Sequence, residues 1–375
     1  MLHVIRFTLL ALAFACLTPL SVRAADLDVM IGQMLMAGFR GFEADPDSQI
    51  ARDIRERRLG GVILFDYDVA LGSKNRNVRS PEQVRRLTSQ LQAQADTPLF
   101  IAVDQEGGMV QRLKPKYGFA GTPSAAELGA GDDSAVESAA RVITRTLLDA
   151  GFNLNFAPVA DVAVNPDSPV IAGVERSFSA DPERVTRCAE LFLNQFAKQK
   201  LIGCLKHFPG HGSAREDSHE GLTDVTRTWS EDELIPYKKL IAAGLPQMIM
   251  TAHIFNARLD PERPATLSRE VVTGLLRERL GFDGVVVTDD MNMRAITQFY
   301  GRDESIRLAI EAGADILLFG NNLDYDREIV VKAHAAVTRL VESGAVSRQR
   351  IAQSYERIMR LKAKLPEHRR TSPNP

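Results

Sequence analysis

Cysteine is nearly absent: there are three in 375 residues, and one of them, Cys16, falls in a leading apolar stretch. The other two, Cys188 and Cys204, cannot form the dense disulfide framework of a small exported domain. Both sit in apolar patterns and read as buried free thiols. An excess of one charge is also missing. The 46 Lys and Arg balance 48 Asp and Glu to a formal net charge of −2, with no long basic run, which excludes the electrostatic footprint of a nucleic-acid binder or an anionic-membrane binder. Arg55, Arg57 and Arg58 are interrupted by Glu56 and are expected to form the solvated face of a helix. Beyond the first two dozen residues no apolar run is long enough to span a bilayer, so no stable membrane span is expected. No Gly/Ser linker or low-complexity segment divides the chain, which favours one domain. No His-x-His lies on any strand pattern, so the paired histidines of a barrel metallohydrolase have no counterpart, and neither metal nor cofactor is expected.

What is present begins with MLHVIRFTLLALAFACLTPLSVRA, residues 1–24. One arginine, an apolar stretch too interrupted to cross a bilayer, and a Val22-Arg23-Ala24 ending predict a cleaved signal peptide and a periplasmic or secreted protein. Cys16 is not expected to carry lipid, because the apolar stretch continues past it. The catalytic or binding domain is expected over 25–365, and the polar, proline-rich tail 366–375 is expected to be disordered.

Between these ends, short apolar runs alternate with amphipathic ones. Strands are predicted at 35–39, 61–65, 99–104, 154–159, 202–207, 248–253, 285–289 and 316–319, mostly continuous apolar runs as in parallel strands covered on both faces. Helices are predicted at 81–95, 134–150, 182–198 and 268–280, with Ser80, Ser134, Asp181 and Ser230 as caps. Eight strands separated by helices predict an α/β fold of the (β/α)8 TIM-barrel type; a doubly wound sheet is the rival, since periodicity does not reveal strand order. Asp104, His207, His253 and Asp289 each fall where an apolar strand ends, and in a barrel those ends converge on one face.

The segment KHFPGHGSAREDSHEGL, Lys206 to Leu222, concentrates three of the seven histidines with a lysine, an arginine and three carboxylates. It could be a metal site, an acid/base centre or a solvated loop. The spacing Asp217-x-His219 lets the carboxylate hydrogen-bond one ring nitrogen and raise the basicity of the other. Alone, that spacing decides little.

Longer motifs decide more. KHFPGHG followed by DSH, with DQEGGMVQRL (104–113), ERSFS (175–179) and GFDGVVVTDDMNM (281–293), resembles the glycoside hydrolase family 3 β-N-acetylglucosaminidases, in family order and over most of the chain after residue 24. It is most similar to the single-barrel bacterial branch, whose acid/base is an Asp-His dyad. The resemblance implies a retaining exo-glycosidase acting on a small oligosaccharide or muropeptide substrate, with Asp289 as nucleophile and His219, paired with Asp217, as acid/base. It further implies that Asp104, Arg112, Arg176, Lys206 and His207 bind the sugar. Asp290, next to the nucleophile, is expected to serve as a cap; Glu106 and Asp161 as partners of arginines; and His211 and His253 as structural groups. Two rivals stand beside this reading: a β-N-acetylglucosaminide phosphorylase and a metal-dependent barrel hydrolase. The long loop DYDVALGSKNRNVR, 66–79, departs from the cytoplasmic members and is expected to shape the leaving-group side.

Overall fold

The computed structural model describes residues 25–218 and 220–366. The proposed signal peptide with Cys16, residue His219 and the tail 367–375 lie outside the described residues. The eight predicted strands are all present: β1 (Leu35–Gly38), β2 (Gly61–Ile63), β3 (Phe100–Val103), β4 (Leu154–Asn155), β5 (Ile202–Phe208), β6 (Met248–Thr251), β7 (Val285–Thr288) and β8 (Leu317–Phe319). Each pairs in parallel with its neighbours in sequence, and β8 returns to β1 with Leu317 opposite Leu35. The β7–β8 seam is closed by a bridge between Val287 and Ile316 and by the Thr288 amide donating to the Ile316 carbonyl at 3.0 Å. A sheet that closes on itself in sequence order is the (β/α)8 barrel; a doubly wound sheet would reverse its order at a switch point.

The strands are buried from end to end, as expected for parallel strands sheathed by helices. Of the predicted fourth strand, 154–159, only Leu154 and Asn155 form a continuous ladder; Pro158 offers no N–H, and pairing with β5 resumes as a single bridge between Val159 and Lys206. Helices Pro81–Ala93 and Pro182–Lys198 start where their caps predict: Ser80 accepts the Gln83 amide and Asp181 the Glu183 amide, each with proline in the first turn. Ser134 is not a cap. The helix Asp133–Asp149 starts earlier, and Asp132, whose carboxylate suits the positive end of the helix, accepts the Ala135 amide at 2.9 Å. Cys188 and Cys204 are buried free thiols, and burial pushes the Cys188 thiol up to about 11. Among the described residues no helix is long and apolar enough to cross a membrane.

Candidate active site

The carboxyl ends of the strands surround a cavity of about 290 Å³. Asp104, Arg112, Arg176, Lys206, His207 and Asp289, six of the eight site residues named from the sequence, line it together. Asp217 is half-buried on the loop that follows β5 and is not part of that lining.

Charge in the pocket is arranged in interlocked pairs. The Lys206 ammonium, 1% exposed, stands between two carboxylates, 2.9 Å from Asp104 Oδ1 and 2.7 Å from Glu106 Oε1. Arg112 reaches the other oxygen of Asp104 at 3.2 Å. Arg176 forks onto Glu106 with two contacts of 2.8 Å, the bidentate geometry that suits a guanidinium. Burial alone would raise the Asp104 carboxyl, but the charges of Lys206 and Arg112 outweigh it and hold the group well below the usual carboxylate range. Glu106 is lowered by the same contest, burial opposed by Arg176 and Lys206.

His207 is fixed from both sides. Its Nδ1 lies 2.7 Å from Asp161 Oδ2, and its Nε2 lies 3.3 Å from Arg176 Nη2. A guanidinium can only donate, so Nε2 is the accepting nitrogen in that contact and Nδ1 carries the proton given to Asp161. Asp161 is fully buried; its Oδ1 accepts the His207 amide at 3.2 Å and the His211 amide at 2.8 Å. Glu106 thus has the arginine partner expected of it, whereas Asp161 pairs with a histidine and backbone amides. The reason is position: residue 161 follows β4, directly beside β5, which sets its carboxylate against the His207 ring and the His211 amide, while the nearby Arg176 is paired with Glu106.

The geometry also separates the two adjacent aspartates at the end of β7. The Asp290 Oδ1 accepts the amides of Asn292 (2.9 Å) and Gly320 (2.8 Å), which ties the β7 loop to the end of β8. Asp289 accepts the Asp290 amide at 2.8 Å and its own amide donates to Thr251. His253, fully buried, contacts the Thr266 hydroxyl at 2.9 Å and the Asp290 carbonyl at 3.0 Å and does not line the pocket.

Two features escape a reading of the sequence. Asp68, on the long loop after β2, is buried between Arg40 and Arg76 at 2.7 Å each; burial opposes its ionisation, but the two guanidiniums push it down to about 2. This cluster braces Tyr67 and Val69, which form part of the pocket wall with Asn322 and Leu323. Glu233 is fully buried, accepts the Gly212 amide at 2.9 Å and is pushed up to about 8, chiefly by burial. The spacing Ser230-x-x-Glu233 disguises it as a capping box, but Ser230 accepts the Asp232 amide and Glu233 turns to the loop. Among the described residues no group of three or more His, Cys, Asp or Glu could hold a metal ion.

Residues 26–361 match the family described as Glycosyl hydrolase family 3 N terminal domain. The chain belongs to glycoside hydrolase family 3. A family relative named Beta-hexosaminidase A, from Pseudoalteromonas piscicida, is 34% identical over 90% of this chain and 61% of its own length. The Beta-hexosaminidase of Tolumonas auensis is 36% identical over 77% of this chain and 83% of its own. Among solved family structures, a β-N-acetylglucosaminidase from Paenibacillus sp. str. FPU-7 superposes with a TM-score of 0.82 at 39% identity, covering 91% of this chain and 63% of that one. The β-N-acetylhexosaminidase of Beutenbergia cavernae gives 0.78 at 30% identity, covering 90% of this chain and 99% of that one. This chain spans about three fifths of the length of the Pseudoalteromonas relative, at 61%.

Proposed function

We propose that the protein is a retaining exo-β-N-acetylglucosaminidase that removes terminal β-linked N-acetylglucosamine from peptidoglycan-derived or chitin-like oligosaccharides. The observation that carries this is the pocket. At about 290 Å³ it lies at the small end of ligand sites, which suits one sugar ring at a chain end. Each lining cation is already paired, Arg112 with Asp104, Arg176 with Glu106 and Lys206 with both, so no surplus charge attracts a free anion. Such a wall favours a neutral polyol, whose hydroxyls donate to carboxylates and accept from cations.

In this reading Asp289 attacks the anomeric carbon and the bond to the leaving oxygen breaks as His219, polarised by Asp217, gives that oxygen a proton. The same histidine then takes a proton from water, which attacks the glycosyl-aspartate and frees Asp289. Asp104, Arg112, Arg176, Lys206 and His207 hold the sugar. The names of the family relatives support the substrate class, and the leading residues 1–24 support action outside the cytoplasm.

Hydrolysis of aryl β-glycosides that differ only at the second carbon of the sugar tests the proposal, with and without phosphate. N-acetylglucosamine is expected to be the preferred glycone, with free sugar as product in both conditions. A preference for glucose, or a sugar 1-phosphate as product, would overturn it.

A further inference from the structure

We propose that His211 is a positioning residue that sets where Asp217 stands relative to the pocket, acting through the Ser218 hydroxyl. The inference rests on the assignment of Asp217 and His219 as the acid/base pair.

The chain leaving β5 is pinned before it reaches those residues. The His211 amide donates to Asp161 and the Gly212 amide to Glu233. Glycine is required at 212 because a Cβ there would stand 1.7 Å from the Val162 carbonyl oxygen; the backbone lies flat on the loop after β4. Asn165 binds the same stretch again, its amide donating to the Gly212 carbonyl and its side chain to the Ala214 carbonyl.

From this anchored base the His211 ring turns inward. It is 3% exposed, meets His207 edge-on at 5.9 Å between centroids, and brings Nε2 to 3.0 Å from Ser218 Oγ. Ser218 is equally buried, while Arg215 and Glu216 between them are exposed. The excursion from 212 to 218 is therefore closed by a buried side-chain tie, and Asp217 is the residue adjacent to it. Burial and the neighbouring His207 push the His211 ring down to about 4, so it stays neutral and the tie does not switch across ordinary working pH.

Asp161 gives the arrangement its purpose. One carboxylate fixes His207, which faces the sugar, and the base of the segment carrying the acid/base pair, so a single buried group sets both in register. A displacement on the order of 1 Å in a catalytic group can cost roughly 100-fold in rate, which is the error this tie prevents.

The test compares Ser218→Ala and His211→Phe with wild type on p-nitrophenyl β-N-acetylglucosaminide and on N,N′-diacetylchitobiose. Disaccharide turnover needs full protonation of the leaving oxygen and is expected to fall about 10- to 100-fold. First-turnover release of p-nitrophenol is expected to stay within about threefold, since an aryloxide leaves with little help. Inhibition by N-acetylglucosamine is expected to be unchanged, because the sugar clamps are intact, and Ser218→Thr, which keeps a hydroxyl, is expected to restore disaccharide turnover. If His211→Phe does not fold, Ser218→Ala carries the test. Equal losses on both substrates, or no loss on either, would overturn the inference while the glycosidase reading stands. A wild-type enzyme inert to both substrates would overturn that reading and the inference with it.

Discussion

Replacing Glu233 by Gln should abolish a pH dependence of stability that the wild-type structure builds in. Glu233 has no solvent exposure; its Oε2 accepts one backbone amide, and its Oε1 has no hydrogen-bond partner among the described residues. Burial first, and the nearby Asp161 charge in addition, push its carboxyl from the ordinary 4.5 up to about 8. Between those values the folded protein keeps the Glu233 proton and the unfolded chain has released it. Stability contributed by the protonated group is thus complete below about pH 4.5 and is lost progressively as pH rises to about 8. At about 1.36 kcal/mol for each unit, the swing is at most about 5 kcal/mol, and water penetration and relaxation reduce it to roughly 2–5. An unfolding entropy of about 2.1 cal/mol/K per residue converts this, for a chain of this size, into roughly 3–7 °C. Glu233→Gln keeps an oxygen for the Gly212 amide and cannot ionise. Its Tm relative to wild type should therefore rise by that amount between pH 4.5 and 8 and stay level above it, as read by calorimetry across the range. A Tm difference that does not change with pH would show that Glu233 is ionised in the folded state and would refute the reasoning.

Further outcomes test other parts of the molecule. Lys362, buried beside the Gln33 side chain (2.6 Å) and the Gly60 carbonyl (2.8 Å), is pushed down to about 7 by burial, so wild-type stability should climb as pH rises from about 7 to 10.5; denaturant titrations of Lys362→Met should lack that climb. Arg176→Met leaves Glu106 with Lys206 as its remaining cation and should lower stability by about 1–3 kcal/mol, whereas Arg176→Met with Glu106→Gln should recover most of that stability but none of the kcat/KM if the guanidinium itself binds the sugar as proposed. Asp289 should be the carboxylate labelled by a fluorinated glycosyl inactivator, with the adduct mapping to GVVVTDD; an adduct on Asp290 would refute the division of roles between them. His219→Ala should give a burst of p-nitrophenol stoichiometric with enzyme and then slow by roughly 10²- to 10⁴-fold, since the base of the second step is gone; equal slowing of aryl and disaccharide substrates without a burst would refute the assignment.

The barrel was legible because its signals are local. Eight apolar runs of strand length, with amphipathic stretches between several of them, are consequences of burying both faces of a parallel sheet, and the proline that shortens β4 was visible in the run itself. The family motifs also lie in contiguous stretches, so the residues that line the pocket could be named before their distances were known. The misplaced cap at Ser134 shows the limit of that approach: Asp132 and Ser134 both suit the role, and which one takes it depends on where the helix begins.

By itself, then, the sequence determined the alternation of strands and helices and the polar groups at several strand ends, which are written in the spacing of neighbouring residues, and its contiguous motifs carried the family resemblance; strand order, which separates a barrel from a doubly wound sheet, came only with the structure. Barrel closure decided the rest. It alone brings Glu106, after β3, against Arg176 on the loop after β4 and Lys206 on β5, and Asp161, after β4, against His207 on β5; it gives Asp290 the Gly320 amide just past β8; and it turns Glu233, 21 residues past Gly212, back to the loop after β5. Contacts between separate strand ends depend on which strands become neighbours and on the tilt of the closed sheet, and no local periodicity carries that information.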